Sequence, residues 1–174
     1  MMRISKISLA FALVLFLIFA CGQVQQNQSR TSSVFPAQLG SINDFDSLFT
    51  DTQTLKLNQL IVESERDIPL EIVVVSLTSI HNYPNLFEYS LQLARHWKVG
   101  SSTKNNGILI AIYKDQRKIR IQTTDGFVRN TLTNEEAGLI MENTIIPAIK
   151  KGKLYNGLLD GIKEMMQEFN SEKK

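Results

Sequence analysis

The chain has 174 residues, which at about 150 residues per domain leaves room for one globular domain and a short additional segment. Its formal net charge is +2, from 19 basic and 17 acidic side chains, and two of the basic ones are Arg3 and Lys6 at the N-terminus. This near balance argues against a dedicated nucleic-acid binder, which needs a basic surplus to neutralise phosphates.

The N-terminus has the pattern of a bacterial export signal. Arg3 and Lys6 precede an apolar run that ends at Ala20 and is shorter than the ~20 residues needed to span a bilayer core. Cys21, the only cysteine, follows directly, and the residues around it resemble a lipoprotein lipobox. We therefore predict a lipoprotein signal peptide over residues 1–20 and a lipidated Cys21 that attaches the protein to a membrane of the bacterial cell envelope, facing the periplasm or the outside. The alternatives are an ordinary signal peptide with Cys21 as an incidental thiol, and an uncleaved membrane anchor.

A polar stretch rich in Gln, Ser and Asn follows Cys21, without apolar periodicity or aromatic residues up to Ser33. This composition favours a flexible tether, which we place at residues 21–40. An α/β domain then covers residues 41–170, and residues 171–174 form a disordered tail.

The first half of the domain contains two predicted helices and two predicted strands. A capping box predicts a helix over residues 52–65. The β-branched run at 71–77 is too short for a helix and suits a strand buried on both faces. Pro84 is placed in the first turn of a second helix, which ends near Gly100. A second buried strand follows at 107–113.

The second half begins with a strand over residues 118–123, where the apolar-face residues Ile119, Ile121 and Thr123 alternate with Lys118, Arg120 and Gln122, so one of its faces is predicted to be exposed to water. A second capping box at Thr133 begins a helix that Pro147 should kink or end. The last helix begins near Leu154. This order predicts a small α/β sandwich with a short mixed sheet, in which the first two strands are parallel and the third closes a hairpin.

Short motifs along the domain resemble the TPM-domain family. They are Asn-Asp-Phe at 43–45, the corner from Trp97 to Gly100, Asn-Asn-Gly at 105–107, Arg-Lys at 117–118, Leu-Thr-Asn at 132–134 and Ile-Ile-Pro at 145–147. The resemblance covers roughly residues 41–169 and implies a compact α/β sandwich in an envelope or lumenal protein. Members of the family have been described as acid phosphatases, as calcium binders, and as helpers in the repair or assembly of membrane complexes.

The resemblance also implies an acidic loop after the third strand, where most members carry Gly-aromatic-Gly-Leu-Glu-Gly. This chain keeps Gly126 but has Val128 at the position of the Glu, and Asn134 stands where the family usually has Asp. Calcium takes about six to eight oxygen ligands and binds more tightly as carboxylates are added. Calcium is therefore the candidate cofactor, bound weakly or not at all, with Asp125 replacing one of the two lost carboxylates.

The candidate metal or phosphate ligands are Asn105, Asn106, Asp125, Asn134, Glu135 and Asp44. If the third strand is antiparallel to the second, its end returns beside the start of the second, and all of these except Asp44 converge at one end of the sheet. Exposed amides there would suit an anion. Asp44 is predicted near the opposite end. Turns and helix starts select the same residue types, so a structural use of each is the alternative.

Two functions follow from these observations. The favoured one is a non-catalytic module that binds envelope proteins and assists their assembly. The predicted tether, the balanced charge and the loss of two carboxylates from the acidic loop all agree with it. The alternative is a calcium-assisted acid phosphatase that uses Asp125, Asn106 and the helix start at 134–135. The sequence shows no obvious nucleophile or general acid for that reaction, and it identifies no catalytic residue.

Overall fold

A computed structural model describes residues 34–103, 106–123 and 132–171. These residues form a four-stranded mixed sheet surrounded by five α-helices. The predicted signal peptide, Cys21, most of the predicted tether and residues 172–174 lie outside the described residues.

The sheet has the strand order β1-β2-β3-β4. Its strands are β1 (Ile42–Asp44), β2 (Glu71–Ser76), β3 (Gly107–Tyr113) and β4 (Lys118–Thr123). The first three are parallel, and β4 is antiparallel to β3. The helices are α1 (Asp51–Ser64), α2 (Leu86–Trp97), α3 (Asn134–Ile140), α4 (Ile146–Lys150) and α5 (Leu154–Ser171). The predicted α/β fold class is confirmed, including the mixed sheet and its terminal hairpin.

Side-chain caps determine where three of the helices begin. The hydroxyls of Thr50 and Thr133 accept hydrogen bonds from backbone N–H groups three residues later, and both predicted capping boxes are present. Asn85 caps α2 by accepting a hydrogen bond of 2.9 Å from the backbone N–H of Glu88. The placement of Pro84 in the first turn of this helix is therefore wrong, because Asn85 takes the N-cap position and the proline precedes it.

The corner between α2 and β3 requires glycine. Gly100 has a φ of +87°, and a Cβ on it would lie 2.6 Å from the backbone nitrogen of Gly107. Backbone atoms approach so closely here because neither residue has a side chain.

The first strand, β1, was not predicted from the sequence. It has three residues, too few to show an alternating pattern, and two of them are Asn43 and Asp44, types that are depleted in strands. Asn43 is fully buried beside β2, and its Oδ1 accepts a hydrogen bond of 2.6 Å from the backbone N–H of Leu39. The buried amide thus holds the incoming chain against the edge of the sheet.

Alternate residues of the two central strands face two separate hydrophobic layers. The layer beneath α2 contains the strand residues Val73, Val75, Leu109 and Ala111. The layer on the other face, which includes residues of α1, α3 and α5, contains Ile72, Val74, Ile108 and Ile110. Continuous apolar runs therefore give strands that are buried on both faces, as predicted.

The predicted water-exposed face of β4 is wrong for two of its three polar residues. Gln122 is only 7% exposed, and the guanidinium carbon of Arg120 lies 4.7 Å from the ring centroid of Phe87 on α2. Helix α2 packs over this face, and Nε of Arg120 and Oε1 of Gln122 are buried there without a hydrogen-bond partner among the described residues. Lys118, at the start of the strand, is exposed as predicted.

Pro147 interrupts a helical segment, as predicted. It lies in the first turn of α4, directly after a π-helical turn over Met141–Ile145. Proline has no N–H to continue the α-helical ladder, so regular α3 ends at Ile140 and the wider turn precedes the proline. Gly157 of α5 packs against this segment, where an added Cβ would lie 2.8 Å from the Cβ of Ala148.

Candidate functional site

One end of the sheet carries polar residues for which the sequence predicts a metal or phosphate site. Asn106 directly precedes β3, and Asn134 is the first residue of α3. Thr123 pairs with Ile108 of β3, and its hydroxyl donates a hydrogen bond of 2.6 Å to Oδ1 of Asn134. Asn106 and Asn134 thus lie at the same end of the sheet, in agreement with the predicted topology.

Both asparagine side chains already form internal hydrogen bonds at this end. Nδ2 of Asn106 donates to the carbonyl oxygen of Pro69 over 3.1 Å, and Asn134 accepts the bond described above. Glu135 is exposed in the first turn of α3. Asn105 and Asp125 lie outside the described residues, so the convergence of the full ligand set stays a prediction.

A carboxylate that the sequence analysis missed lies at the same end. Oε2 of Glu71 accepts hydrogen bonds from the backbone N–H of Gly100 at 2.8 Å and from the hydroxyl of Ser102 at 3.1 Å. Burial, and then the negative charge of Glu71, raises the pKa of Glu65 above its ordinary value. In the part of the chain that the structure describes, no group of three or more His, Cys, Asp or Glu side chains is arranged to hold a metal ion.

Asp44 lies at the opposite end of the sheet, where its pairing with Ser76 places it at the carboxyl end of β2. One of its oxygens accepts hydrogen bonds from the hydroxyl of Ser76 and from the backbone N–H of Leu48, the latter at 2.9 Å. The other oxygen accepts a hydrogen bond of 2.9 Å from the backbone N–H of Phe49. Both carboxylate oxygens therefore brace the loop between β1 and α1.

A groove opens beside this carboxyl end of the parallel strands, the end at which α/β folds commonly bind ligands. It has a volume of about 970 Å³ and is lined by the loop after β1, the β3–β4 hairpin, the π-helical turn, α4 and the start of α5. A groove of this size is at the upper end of the usual range for ligand sites.

Four basic residues line the groove, namely Lys114, Arg117, Lys118 and Lys150. All four are exposed, and none of the described lining residues is acidic. This is a strong local excess in a chain whose 19 basic and 17 acidic residues nearly balance.

The hairpin turn is the local structure that groups three of these cations. Residues Lys114–Gln116 form one 3₁₀ turn, and Arg117 adopts a left-handed conformation with a φ of 52°. Its backbone N–H donates a hydrogen bond of 2.8 Å to the carbonyl oxygen of Lys114, which closes the turn tightly. The fourth cation, Lys150, comes from the last residue of α4.

Apolar side chains form the rest of the groove wall. Five of them are only partly buried and pack against the hydrophobic layer that contains α1 and α5; they are Leu48, Ile119, Met141, Ile149 and Leu154. The groove is therefore an opening in the side of that core, bordered by positive charge. The sequence signal for it was three basic residues within 114–118, a segment that also contains Asp115, together with basic residues after Pro147, but nothing in the sequence alone joins these two segments.

The start of the described chain is held on the other side of the sheet. The ring centroid of Phe35 lies 5.3 Å from that of Tyr89 and 5.2 Å from that of His96. Nε1 of Trp97 donates a hydrogen bond of 2.8 Å to the carbonyl oxygen of Pro36. Phe35 thus packs with the layer beneath α2, whereas the groove borders the opposite layer.

None of the helices among the described residues combines the length and the apolar character that crossing a bilayer requires.

Comparison with known proteins identifies relatives of this domain. A family model described as the TPM domain matches residues 42–168. The N-terminal domain of a protein from P. gingivalis, solved by NMR, is 30% identical, with a TM-score of 0.63, over 75% of this chain and 82% of that one. No curated protein matches the chain.

Two further NMR structures share the fold at lower identity. The BA42 protein from Bizionia argentinensis is 20% identical, with a TM-score of 0.62, over 74% of this chain and 86% of its own. The N-terminal domain of the cg2496 protein from Corynebacterium glutamicum is 14% identical, with a TM-score of 0.55, over 75% of this chain and 80% of its own. At these identities the likeness concerns the fold alone.

Proposed function

The chain belongs to the TPM-domain family, and we propose that it is a lipid-anchored envelope protein whose domain docks other envelope proteins without catalysing a reaction. The observation that carries this proposal is the groove at the carboxyl end of the parallel strands. It combines partly exposed apolar side chains with four cations in a single concave surface.

The physical properties of the groove support binding. Apolar side chains that stay partly exposed gain about 25 cal/mol for each Å² that a partner removes from water. Lysine and arginine at the border attract carboxylates over a longer range, which speeds encounter and selects the orientation of the partner. The two terms together give a surface that recognises one class of partner.

The described lining residues of the groove offer few groups for acid–base catalysis. These residues include the hydroxyls of Ser47 and Tyr113, but no His, Asp or Glu that would remove a proton from either. A hydroxyl without an adjacent base is a weak nucleophile. The groove therefore supports docking better than it supports phosphoryl transfer.

Membrane attachment through Cys21 would keep the domain close to its partners. Cys21 precedes Phe35 by 14 residues, and a fully extended chain of that length spans at most about 50 Å. Since Phe35 is packed on α2, the reach of the domain is set by the residues before it. The domain would thus sample a thin layer next to the membrane.

Labelling with palmitate in bacterial cells tests the anchor. The wild-type chain should incorporate labelled palmitate and sediment with membranes, whereas the Cys21→Ala variant should incorporate none. An unlabelled wild-type chain would refute the lipid anchor.

Site-specific photocross-linking tests the docking. A photoreactive phenylalanine analogue in place of Ile149, in the groove, should give adducts with envelope proteins in cells. The same analogue in place of Leu55, which is 66% exposed on α1, is the control and should give none. No adduct from Ile149, or the same adducts from both positions, would contradict docking through the groove.

The alternative function, a calcium-assisted acid phosphatase, has a separate test. Hydrolysis of p-nitrophenyl phosphate by the purified chain, lost in both Asn106→Ala and Asp125→Ala, would support that function. An absent rate, or one unchanged by these substitutions, would contradict it.

A further inference from the structure

We infer that the groove receives a short peptide segment of a partner protein in which acidic and apolar side chains occur together. This inference rests on the docking function proposed above and adds the chemistry of the partner. It follows from the charge of the groove border, from the exposure of its apolar wall and from the distribution of its cations over two elements.

The charge of the border selects an anionic occupant. Lys114, Arg117, Lys118 and Lys150 face the groove without an acidic neighbour among the described lining residues. Four like charges around one opening raise the electrostatic free energy of the empty groove, and a partner carrying carboxylates lowers it. A basic or neutral segment would not gain this energy.

The apolar wall of the groove favours a partner with apolar side chains. Ile119, Met141 and Ile149 belong to the partly buried border of the core, so their exposed portions remain in contact with water. A free inorganic anion would leave these portions exposed. Nucleic acid is disfavoured because single-stranded bases bind by stacking on aromatic rings, and Tyr113 is the only aromatic residue among the described lining residues.

The distribution of the cations favours a peptide over a lipid. Three of them lie on the β3–β4 hairpin, at Lys114, Arg117 and Lys118, whereas Lys150 lies at the end of α4. A phosphatidylglycerol headgroup carries a single negative charge, whereas four cations on two elements border the groove. A peptide carries carboxylates at intervals along its length, with apolar side chains between them.

The first experiment selects peptides from a random library displayed on phage, using the full chain inserted through its lipid anchor into nanodiscs of zwitterionic phosphatidylcholine. We expect the enriched peptides to contain two or more Asp or Glu residues together with Leu, Ile, Val or Phe. Absence of enrichment, or enrichment of neutral or basic peptides, would overturn the inference.

The second experiment measures the affinity of the most enriched peptide by fluorescence anisotropy. The double variant Lys118→Glu, Lys150→Glu should bind it about tenfold more weakly or worse, because two attractive charge pairs are lost and two repulsive ones replace them. The control is Lys56→Glu, Lys163→Glu, which makes the same change in net charge at exposed sites outside the lining of the groove and should bind within about twofold of the wild type. The neutral pair Lys118→Gln, Lys150→Gln should fall between the two, and equal affinity in all variants would overturn the inference.

A third experiment tests whether a lipid surface occupies the groove instead of a peptide. It also distinguishes a wrong peptide chemistry from a failure of the docking function. If nanodiscs containing phosphatidylglycerol bind the Cys21→Ala chain more strongly than phosphatidylcholine nanodiscs do, if Lys118→Glu, Lys150→Glu abolishes that difference and if no peptide binds, the occupant is a lipid surface and the peptide inference is wrong. If no peptide binds but the Ile149 cross-link still forms, docking stands and only the stated chemistry fails. If both are absent, the docking function fails as well.

Discussion

We expect alanine substitutions at four glycines to change the stability of the domain in a definite order, because each glycine meets a different combination of two constraints. Gly138 in α3 has open space around it and an ordinary helical conformation, and Gly152 also has open space but a φ of +72°. Gly107 lacks a left-handed φ, but a Cβ there would lie 2.6 Å from the backbone nitrogen of Gly100. Gly100 combines a φ of +87° with the same close approach.

The expected magnitudes follow from these two constraints. Gly138→Ala should stabilise the fold by about 0.5–1 kcal/mol, since alanine loses less backbone entropy in a helix. Gly152→Ala should destabilise it by about 1–2 kcal/mol through the left-handed conformation alone. Gly107→Ala should destabilise it by about 1–3 kcal/mol, because only backbone movement can relieve the contact. Gly100→Ala carries both penalties, so its loss should be about 2–5 kcal/mol.

Urea unfolding of the full chain provides the measurement. Trp97 is the only tryptophan and is tied to the backbone of Pro36 by a hydrogen bond of 2.8 Å, so its fluorescence should report global unfolding. The slope of the free energy of unfolding against urea concentration should be equal in all variants if only the folded state is affected. A Gly100→Ala loss no larger than that of Gly152→Ala would refute the argument from close backbone contact.

Three further predictions concern titration and packing. Burial, with a smaller effect of Tyr83, raises the pKa of Tyr89 to about 12. The contribution of Tyr89 to the free energy of unfolding should therefore be constant below pH 10 and decline as the pH rises from 10 to 12. Tyr89→Phe should reduce this decline in urea melts at alkaline pH, and an equal decline in the variant would contradict the prediction. The raised pKa of Glu65 means that its charge opposes folding above its ordinary pKa. Glu65→Gln should therefore raise the urea midpoint at pH 7 but not at pH 3.5, and an equal effect at both pH values would contradict this. Phe35→Ala should destabilise the fold by about 1–3 kcal/mol in thermal melts, because it removes the ring contacts to α2. Phe87 is half-exposed, and a smaller loss of stability for Phe35→Ala than for Phe87→Ala would contradict this role.

Features set by local chemistry were predictable from the sequence. The capping boxes at Thr50 and Thr133 depend only on residues three positions apart, and the structure contains both. The continuous apolar runs gave the two central strands because burial on both faces leaves no alternation. The position of Asp44, opposite the predicted ligand cluster, followed from the antiparallel closure of the last strand.

Features set by tertiary contacts were not predictable in this way. The polar face of β4 is covered because α2 packs over Arg120, a contact that the alternating pattern does not contain. The groove was missed because Lys118 and Lys150 are 32 residues apart and meet only through the packing of α4 beside the hairpin. Glu71 appeared as the start of a strand, and its role in holding the corner at Gly100 became visible only in three dimensions.

The most direct test of docking through the groove combines the photoreactive residue at position 149 with the charge variants, in cells that produce the full chain. We predict that the adducts with envelope proteins disappear in the Lys118→Glu, Lys150→Glu background and persist in the Lys56→Glu, Lys163→Glu background. Adducts that persist equally in both backgrounds would contradict a charge-selective docking groove, since the same partner would then bind without the cations that define it.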